Sequence, residues 1–261
     1  MTVARRATRT RRARTLLCLL ALALMSGCSF LRPARTPMER VVLREQGPDE
    51  ARGAIVLLPG FGDRPSAFSE HGFAQALAAA APGYDVFAAD AHFGYYRKRS
   101  LLERLERDVI APLRARGYRE LWLAGASLGG FGAVGYARTH PERIAGLMLF
   151  APYMGPKEVV SKVAQGGLCA YDETPSEKDD EANFARRNFV WLKRQACEDH
   201  SISLYVAVGD EDRLLGANRL LGNALPPSHA LVLPGGHGWK VWTPAVTRLA
   251  PVAFDSETGS H

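Results

Sequence analysis

Apolar runs recur along this chain, each followed by a turn and then a helical stretch. That rhythm restricts the fold more than any other feature. Residues 54–58 (AIVLL), 84–89 (YDVFAA), 121–124 (LWLA), 144–150 (IAGLMLF), 202–208 (ISLYVAV) and 230–233 (ALVL) are continuous rather than alternating. A strand that is apolar on both sides is buried on both faces, and such strands belong to parallel sheets covered by helices. Residues 40–44 (RVVLR) read as a short first strand. Helical patterns fill the gaps. The first is 66–81, with Ser66 placed to cap it. The second is 100–116, with Leu101, Leu105, Val109, Ile110 and Leu113 near helical spacing and Gly117 as its stop. Others are 128–139, a segment near 214–223 and one after Trp239. The expected fold is α/β: a mostly parallel central sheet with helices on both faces, over residues 38–250. In such sheets ligands bind beyond the carboxyl ends of the strands, so the residues found there matter most.

One of those ends reads Gly125-Ala126-Ser127-Leu128-Gly129, between a strand and a helix. A nucleophile on a sharp strand-to-helix turn needs small neighbours, and Gly125, Gly129, Gly130 and Gly132 supply them. The helix start adds backbone N–H donors and a positive dipole end where an oxyanion forms. A serine hydroxyl also needs a base, and the base an orienting carboxylate. His237 stands in a glycine-rich loop (Pro234-Gly235-Gly236-His237-Gly238) after the last strand, and Gly209-Asp210-Glu211-Asp212 follows the strand before it. Serine, acid and histidine each fall at a strand's carboxyl end, in that order.

With these residues the sequence resembles the α/β-hydrolase family from about Ala54 to Trp242. The resemblance implies Ser127 as nucleophile, His237 as base and Asp212 as its carboxylate, with Asp210 as the alternative acid. Pro59-Gly60-Phe61-Gly62 resembles the family's His-Gly-x-Gly loop, with proline in place of histidine. By that match the Phe61 and Leu128 N–H groups form the oxyanion hole. The implied activity is hydrolysis of a carboxylic ester by way of an acyl-enzyme, with no metal or organic cofactor. An acyltransferase uses the same three residues, and a non-catalytic surface protein can keep the fold. A peptidase lacks support from any long N-terminal propeller or acidic motif. Phe61, Phe93, Tyr95 and Tyr153 are candidates for an apolar pocket lining, which points to a small-molecule or lipid ester. His92 could line the pocket with Phe93, Tyr95 and Tyr96, but is read as part of a packed or solvated loop, and Asp90 as a loop brace.

Residues 154–200 break the strand–helix rhythm and read as a lid or cap insertion, too long for a plain loop. The insertion carries Cys169 and Cys197, the two cysteines left once Cys18 and Cys28 are set aside. In an oxidising compartment two such thiols pair. The bridge closes a loop of roughly thirty residues, worth about 3 kcal/mol in the chain-entropy model.

The compartment follows from the N-terminus. Residues 1–14 hold six arginines and no acid, a short apolar stretch follows, and Ser26-Gly27-Cys28 closes it. That is the pattern of a secretory signal. Residues 24–28 also resemble a bacterial lipoprotein signal, which makes Cys28 the lipidated first residue of the mature chain. Ser29 after it resembles an outer-membrane sorting pattern. Expected boundaries are a signal over 1–27, a tether over 28–37, the domain, and a flexible tail over 251–261. The whole chain carries 33 Lys+Arg against 27 Asp+Glu, but the six arginines of the signal account for the difference. The mature charge is balanced and gives no reason to expect nucleic acid or an anionic substrate. The expected partners are the ester substrate and a membrane reached through the lipid; the sequence does not address oligomeric state.

Overall fold

The structure is a computed structural model, and it describes residues 32–254. The signal segment, Cys28 and residues 255–261 lie outside the described residues. Seven strands form one sheet: β1 (Arg40–Arg44), β2 (Gly53–Leu58), β3 (Tyr84–Ala89), β4 (Glu120–Ala126), β5 (Gly146–Phe150), β6 (Ser203–Gly209) and β7 (Ala230–Leu233). Their spatial order is β1-β3-β2-β4-β5-β6-β7. Only β1 runs antiparallel, against β3; every other pairing is parallel. Every residue of β2, β3 and β5 is buried, which is why these runs are apolar without alternation. The longer helices are α1 (Phe73–Ala80), α2 (101–115), α3 (Leu128–Thr139), α4 (Lys157–Gly166), α5 (Glu181–Arg194), α6 (Leu215–Gly222) and α7 (Trp239–Phe254). α1 and α7 cover one face, with Phe73, Leu77, Val246 and Leu249 in its core. α2, α3 and the 154–200 segment cover the other, with Leu105, Val109, Val134 and Phe189 in its core.

Two helices differ from the sequence reading. The pattern over 66–81 is interrupted at Gly72, whose φ is +71°. Ser66 has helical backbone angles and makes no capping hydrogen bond. Within α2 one turn, Glu106–Ile110, widens to longer backbone bonds just ahead of Pro112, which brings no N–H to the ladder.

The described parts of the two terminal segments, 32–37 and 251–254, are tied to the domain. Arg32 Nη2 donates to Asp90 Oδ2 at 2.6 Å, and the Met38 N–H donates to Asp108 at 2.7 Å with its side chain buried. Helix α7 continues through 251–254, because Phe254 packs edge-on to Trp122 at 4.9 Å and against Tyr84 at 4.5 Å.

The 154–200 segment is a docked helical pair rather than a detached cap. Cys169 and Cys197 form a disulfide with a Cα–Cα distance of 5.8 Å. Val159, Val163, Leu168, Phe189 and Leu192 are buried. At about 1.5–3 kcal/mol for each large apolar side chain, their burial outweighs the bridge. The bridge therefore staples a segment that packing already holds.

Candidate active site

The chain reverses direction across the sheet at β2, whose successors β3 and β4 flank it on opposite sides. A crevice opens at such a switch point, and here the ends of β2 and β4 form its walls. Ser127 follows β4 directly with φ +50° and ψ −114°, a conformation that L-residues seldom adopt. Its place is fixed by the backbone. Its N–H donates to Phe150 O at 2.9 Å, and its carbonyl accepts from Tyr153 N at 2.9 Å and Gly130 N at 3.1 Å. The glycines around it are steric requirements. A Cβ on Gly125 would sit 2.6 Å from the backbone of Gly129 and Gly130, and one on Gly129 would strike Leu58 O and Pro59 O. Helix and strand touch through bare backbone, and that contact raises the serine over the strand ends.

The three side chains singled out in the sequence meet there. His237 Nε2 lies 2.9 Å from Ser127 Oγ, and His237 Nδ1 lies 2.7 Å from Asp212 Oδ2. The carboxylate can only accept, so Nδ1 carries the hydrogen and Nε2 is left to accept from the serine. Asp212 is buried and its other oxygen, Oδ1, accepts from Leu214 N at 2.8 Å. Both carboxylate oxygens are thus committed, and the histidine ring is oriented by a group that is itself held. The Trp242 ring meets His237 edge-on at 5.2 Å. Asp210 does different work: its Oδ1 accepts from Gly235 N at 2.8 Å and ties down the loop that carries His237.

The Pro59–Gly62 loop lies over the same serine. A Cβ on Gly60 would come 3.6 Å from Ser127 Cβ, and Asp63 N donates to Gly60 O at 3.2 Å to close the turn. Phe61 is more than half exposed and its ring meets Phe93 edge-on at 5.1 Å. Leu128 opens α3, so its N–H belongs to the first turn, where donors have no carbonyl within the helix. Leu128 O accepts from Tyr96 Oη at 2.9 Å. These positions set Phe61 and Leu128 on either side of the nucleophile turn.

Asp63, in the same loop, escaped the sequence reading. Burial, the largest influence, raises its carboxyl above the usual aspartate range; His71 opposes, Glu70 adds and His237 opposes. Nothing in the sequence said that this acid would be partly buried beside the serine turn.

Beside the turn lies a cavity of about 480 Å³. Its apolar wall includes Leu128, Phe93, Tyr96, Phe131 and Phe184, and its charged lining is four arginines, Arg97, Arg99, Arg138 and Arg187, with three acids, Asp179, Asp180 and Glu181. Of the aromatic residues expected to line a pocket, Phe93 does. Tyr95 does not: it is fully buried, with its hydroxyl on Arg35 O at 3.0 Å. The next residue, Tyr96, faces the cavity instead. Tyr153 lies behind Phe131, ring centroids 5.3 Å apart. His92 is packed in the loop as expected; its Nδ1 accepts from Gly94 N at 3.1 Å. Burial, and after it the charge of Arg32, hold its pKa below the ordinary value. Among the described residues no cluster of His, Cys, Asp or Glu could hold a metal ion.

Comparisons with known proteins bear on the fold. Residues 49–170 match the family model Hydrolase_4, described as serine aminopeptidase, S33. No curated protein matches the sequence. Among solved structures, Est1E from Butyrivibrio proteoclasticus with ferulic acid bound aligns over 85% of this chain and 97% of its own, at a TM-score of 0.57 and 16% identity. The putative non-haem bromoperoxidase BpoC from Mycobacterium tuberculosis aligns over 88% and 99%, at 0.55 and 16%. The S-formylglutathione hydrolase FrmB from Staphylococcus aureus aligns over 84% and 96%, at 0.54 and 15%. At such identities the likeness is one of architecture, and with the sheet order, the serine turn and the strand-end loops it places this chain in the α/β-hydrolase fold.

Proposed function

We propose that this protein is a serine hydrolase that cleaves a carboxylic ester through an acyl-enzyme on Ser127. The observation that carries the reading is the Ser127–His237–Asp212 chain of hydrogen bonds, at 2.9 and 2.7 Å, on a strained strand-to-helix turn. His237 takes the hydroxyl proton as Oγ bonds to the ester carbonyl carbon. The carbonyl oxygen becomes an oxyanion, accepted by the Phe61 and Leu128 N–H groups; each such donor lowers the barrier by about 3–4 kcal/mol. The oxyanion collapses, the bond to the alcohol oxygen breaks, and His237 passes its proton to that oxygen. Water then gives a proton to His237, adds to the acyl carbon and displaces Oγ, which takes the proton back. Asp212 keeps the Nδ1–H tautomer and stabilises the imidazolium. Esterases among the structural neighbours support this reaction class.

A second reading, release of an amino-terminal residue from a peptide, is supported by the description of the family model over 49–170. The acids near the cavity weigh against it, because each is already engaged: Asp179 with Arg99, Asp180 with the Asn183 N–H and Glu181 with the Tyr153 hydroxyl.

We also propose that the chain is exported and anchored through Cys28. Four residue steps then separate Cys28 from Arg32, a reach of at most about 14 Å. Arg32 is pinned to Asp90 beyond the carboxyl end of β3, on the edge of the sheet where Ser127 lies. The anchor would turn the active-site edge toward the membrane.

Hydrolysis of p-nitrophenyl esters from short to long acyl chains, by the soluble form beginning at Ser29, tests the reaction, with Ser127→Ala and leucine p-nitroanilide alongside. Ester turnover that disappears in Ser127→Ala is the expected result. Equal turnover in both proteins overturns it, and cleavage of the anilide alone selects the second reading.

A further inference from the structure

The cavity beside Leu128 is cationic in a way that the balanced charge of the mature chain does not suggest. Arg138 on α3 and Arg187 on α5 both line it, and both are half-buried. Arg138 Nε donates to Asn188 Oδ1 at 3.1 Å, and its guanidinium lies over the Phe184 ring at 5.4 Å. Arg187 Nη1 donates to Ser176 O at 3.3 Å. Among the described residues neither forms an ion pair with a carboxylate. Burial, and after it the charge of Arg187, push the pKa of Arg138 down. Two guanidinium groups therefore share a partly desolvated wall with no anion between them, where like charges repel more strongly than in water. Three acids line the cavity as well, one fewer than the arginines, and none of them forms an ion pair with Arg138 or Arg187 among the described residues. Asp179, Asp180 and Glu181 are exposed at the rim and engaged as described above.

The same cavity borders the serine turn through Leu128, although Ser127 and His237 do not line it. Leu128 belongs both to its wall and to the serine turn, and Phe93 touches it on one side and Phe61 on the other. The wall between is aromatic, with Tyr96, Phe131 and Phe184. A molecule that fills this space has an apolar body against the rings and a negative group at the arginines.

We propose that the cavity binds the anionic end of the ester, so that the substrates are amphipathic esters bearing a carboxylate or a phosphate, and that Arg138 and Arg187 select them. Guanidinium suits either oxyanion through paired N–H donors. The proposal takes the position of the reacting ester from the serine hydrolase reading; the anion site itself rests on the cavity.

Calorimetric titration with octanedioate and with octyl phosphate tests the site without turnover, on the parent, Arg187→Gln, Arg187→Lys and Arg138→Lys. Affinity at least about tenfold weaker in Arg187→Gln, restored in part by either charge-retaining variant at an unchanged Tm, supports the site. The tighter of the two ligands distinguishes carboxylate from phosphate. Equal affinity in all four proteins, or no binding to the parent, overturns it. The kinetic arm compares p-nitrophenyl octanoate with the mono-p-nitrophenyl ester of octanedioic acid and with the octanoyl ester of 4-hydroxybenzoate. A kcat/KM ratio of about ten or more for either anionic ester over the neutral one, falling toward unity in Arg187→Gln, supports the selection. A ratio near or below one for both anionic esters overturns it. Neutral-ester turnover without anion binding defeats this proposal and leaves the hydrolase standing. Anion binding without phosphonate labelling of Ser127 does the reverse.

Discussion

The serine turn and the 154–200 segment meet at one cavity, yet they are built by opposite means. The turn is assembled from what is missing. Gly125 and Gly129 have no side chains, so that α3 and β2 touch through backbone, and the strain at Ser127 persists because its neighbours leave it no alternative. The segment is assembled from bulk. Phe184, Phe189 and Leu192 pack beside α3, Gly135 leaves room for the Phe184 ring, and a disulfide ties Cys169 to Cys197 within the segment. A site held by absent atoms tolerates almost no addition, whereas one held by many contacts tolerates the loss of a few. The turn should therefore fail through chemistry and sterics, and the segment through gradual loss of stability.

The contrast predicts a ranked set of effects. Asp212→Asn leaves the ring in place but removes the charge that fixes its tautomer, and should lower kcat about 10⁴-fold. Asp210→Asn weakens only a brace and should stay within about tenfold; steady-state kinetics on one p-nitrophenyl ester compares the two. A larger loss in the Asp210 variant would reverse the assignment. Gly129→Ala sets a methyl group against Leu58 O and Pro59 O. It should destabilise the fold by about 3 kcal/mol and lose turnover even below its melting temperature, read by thermal melts and kinetics together. The double variant Cys169→Ala/Cys197→Ala should lose about 3 kcal/mol in chemical denaturation and keep ester turnover at 25 °C. Loss of turnover in the folded double variant would show that the segment orders the site and does more than cover it.

The smallest effect comes from Asp63. Its carboxyl is raised by burial, so the fold favours the protonated form. Stability from that preference is complete below the unfolded pKa and is lost as pH rises through the raised folded value. Asp63→Asn should therefore have the higher Tm at neutral pH, and the difference should shrink to nothing in acid. Melts from pH 3 to 8 would show it. A difference that grows as pH falls would mean that Asp63 is stabilised as its ion.

Much of this was legible before any coordinates. The strands 40–44, 84–89 and 230–233 run between the residues that the sequence pattern marks; burial on both faces explains the uninterrupted run at 84–89, whereas 40–44 and 230–233 are partly exposed edge strands. Glycine spacing and strand-end position were enough to single out Ser127 and His237 and to narrow the acid to Asp210 or Asp212, of which the family resemblance favoured Asp212. Two kinds of feature were hidden. One is local competition: Gly72 breaks the helix over 66–81, and a propensity pattern gives no sign of where a glycine will adopt positive φ. The other is side-chain direction across elements. Tyr95 and Tyr96 are adjacent and alike in type, and only the packing of the Phe93–Arg97 turn decides that the first is buried and the second faces the cavity.

The sequence alone determined the layered α/β architecture and the residue types at the strand ends, because hydrophobic periodicity and backbone sterics are properties of short stretches. The tertiary structure decided which carboxylate meets His237 and how the termini pack. It also gathered four arginines around one cavity. Arg138 and Arg187 lie forty-nine positions apart and come together only because the helix carrying Arg187 docks on α3. Electrostatics depends on distance in space, and a count along the chain averages that away.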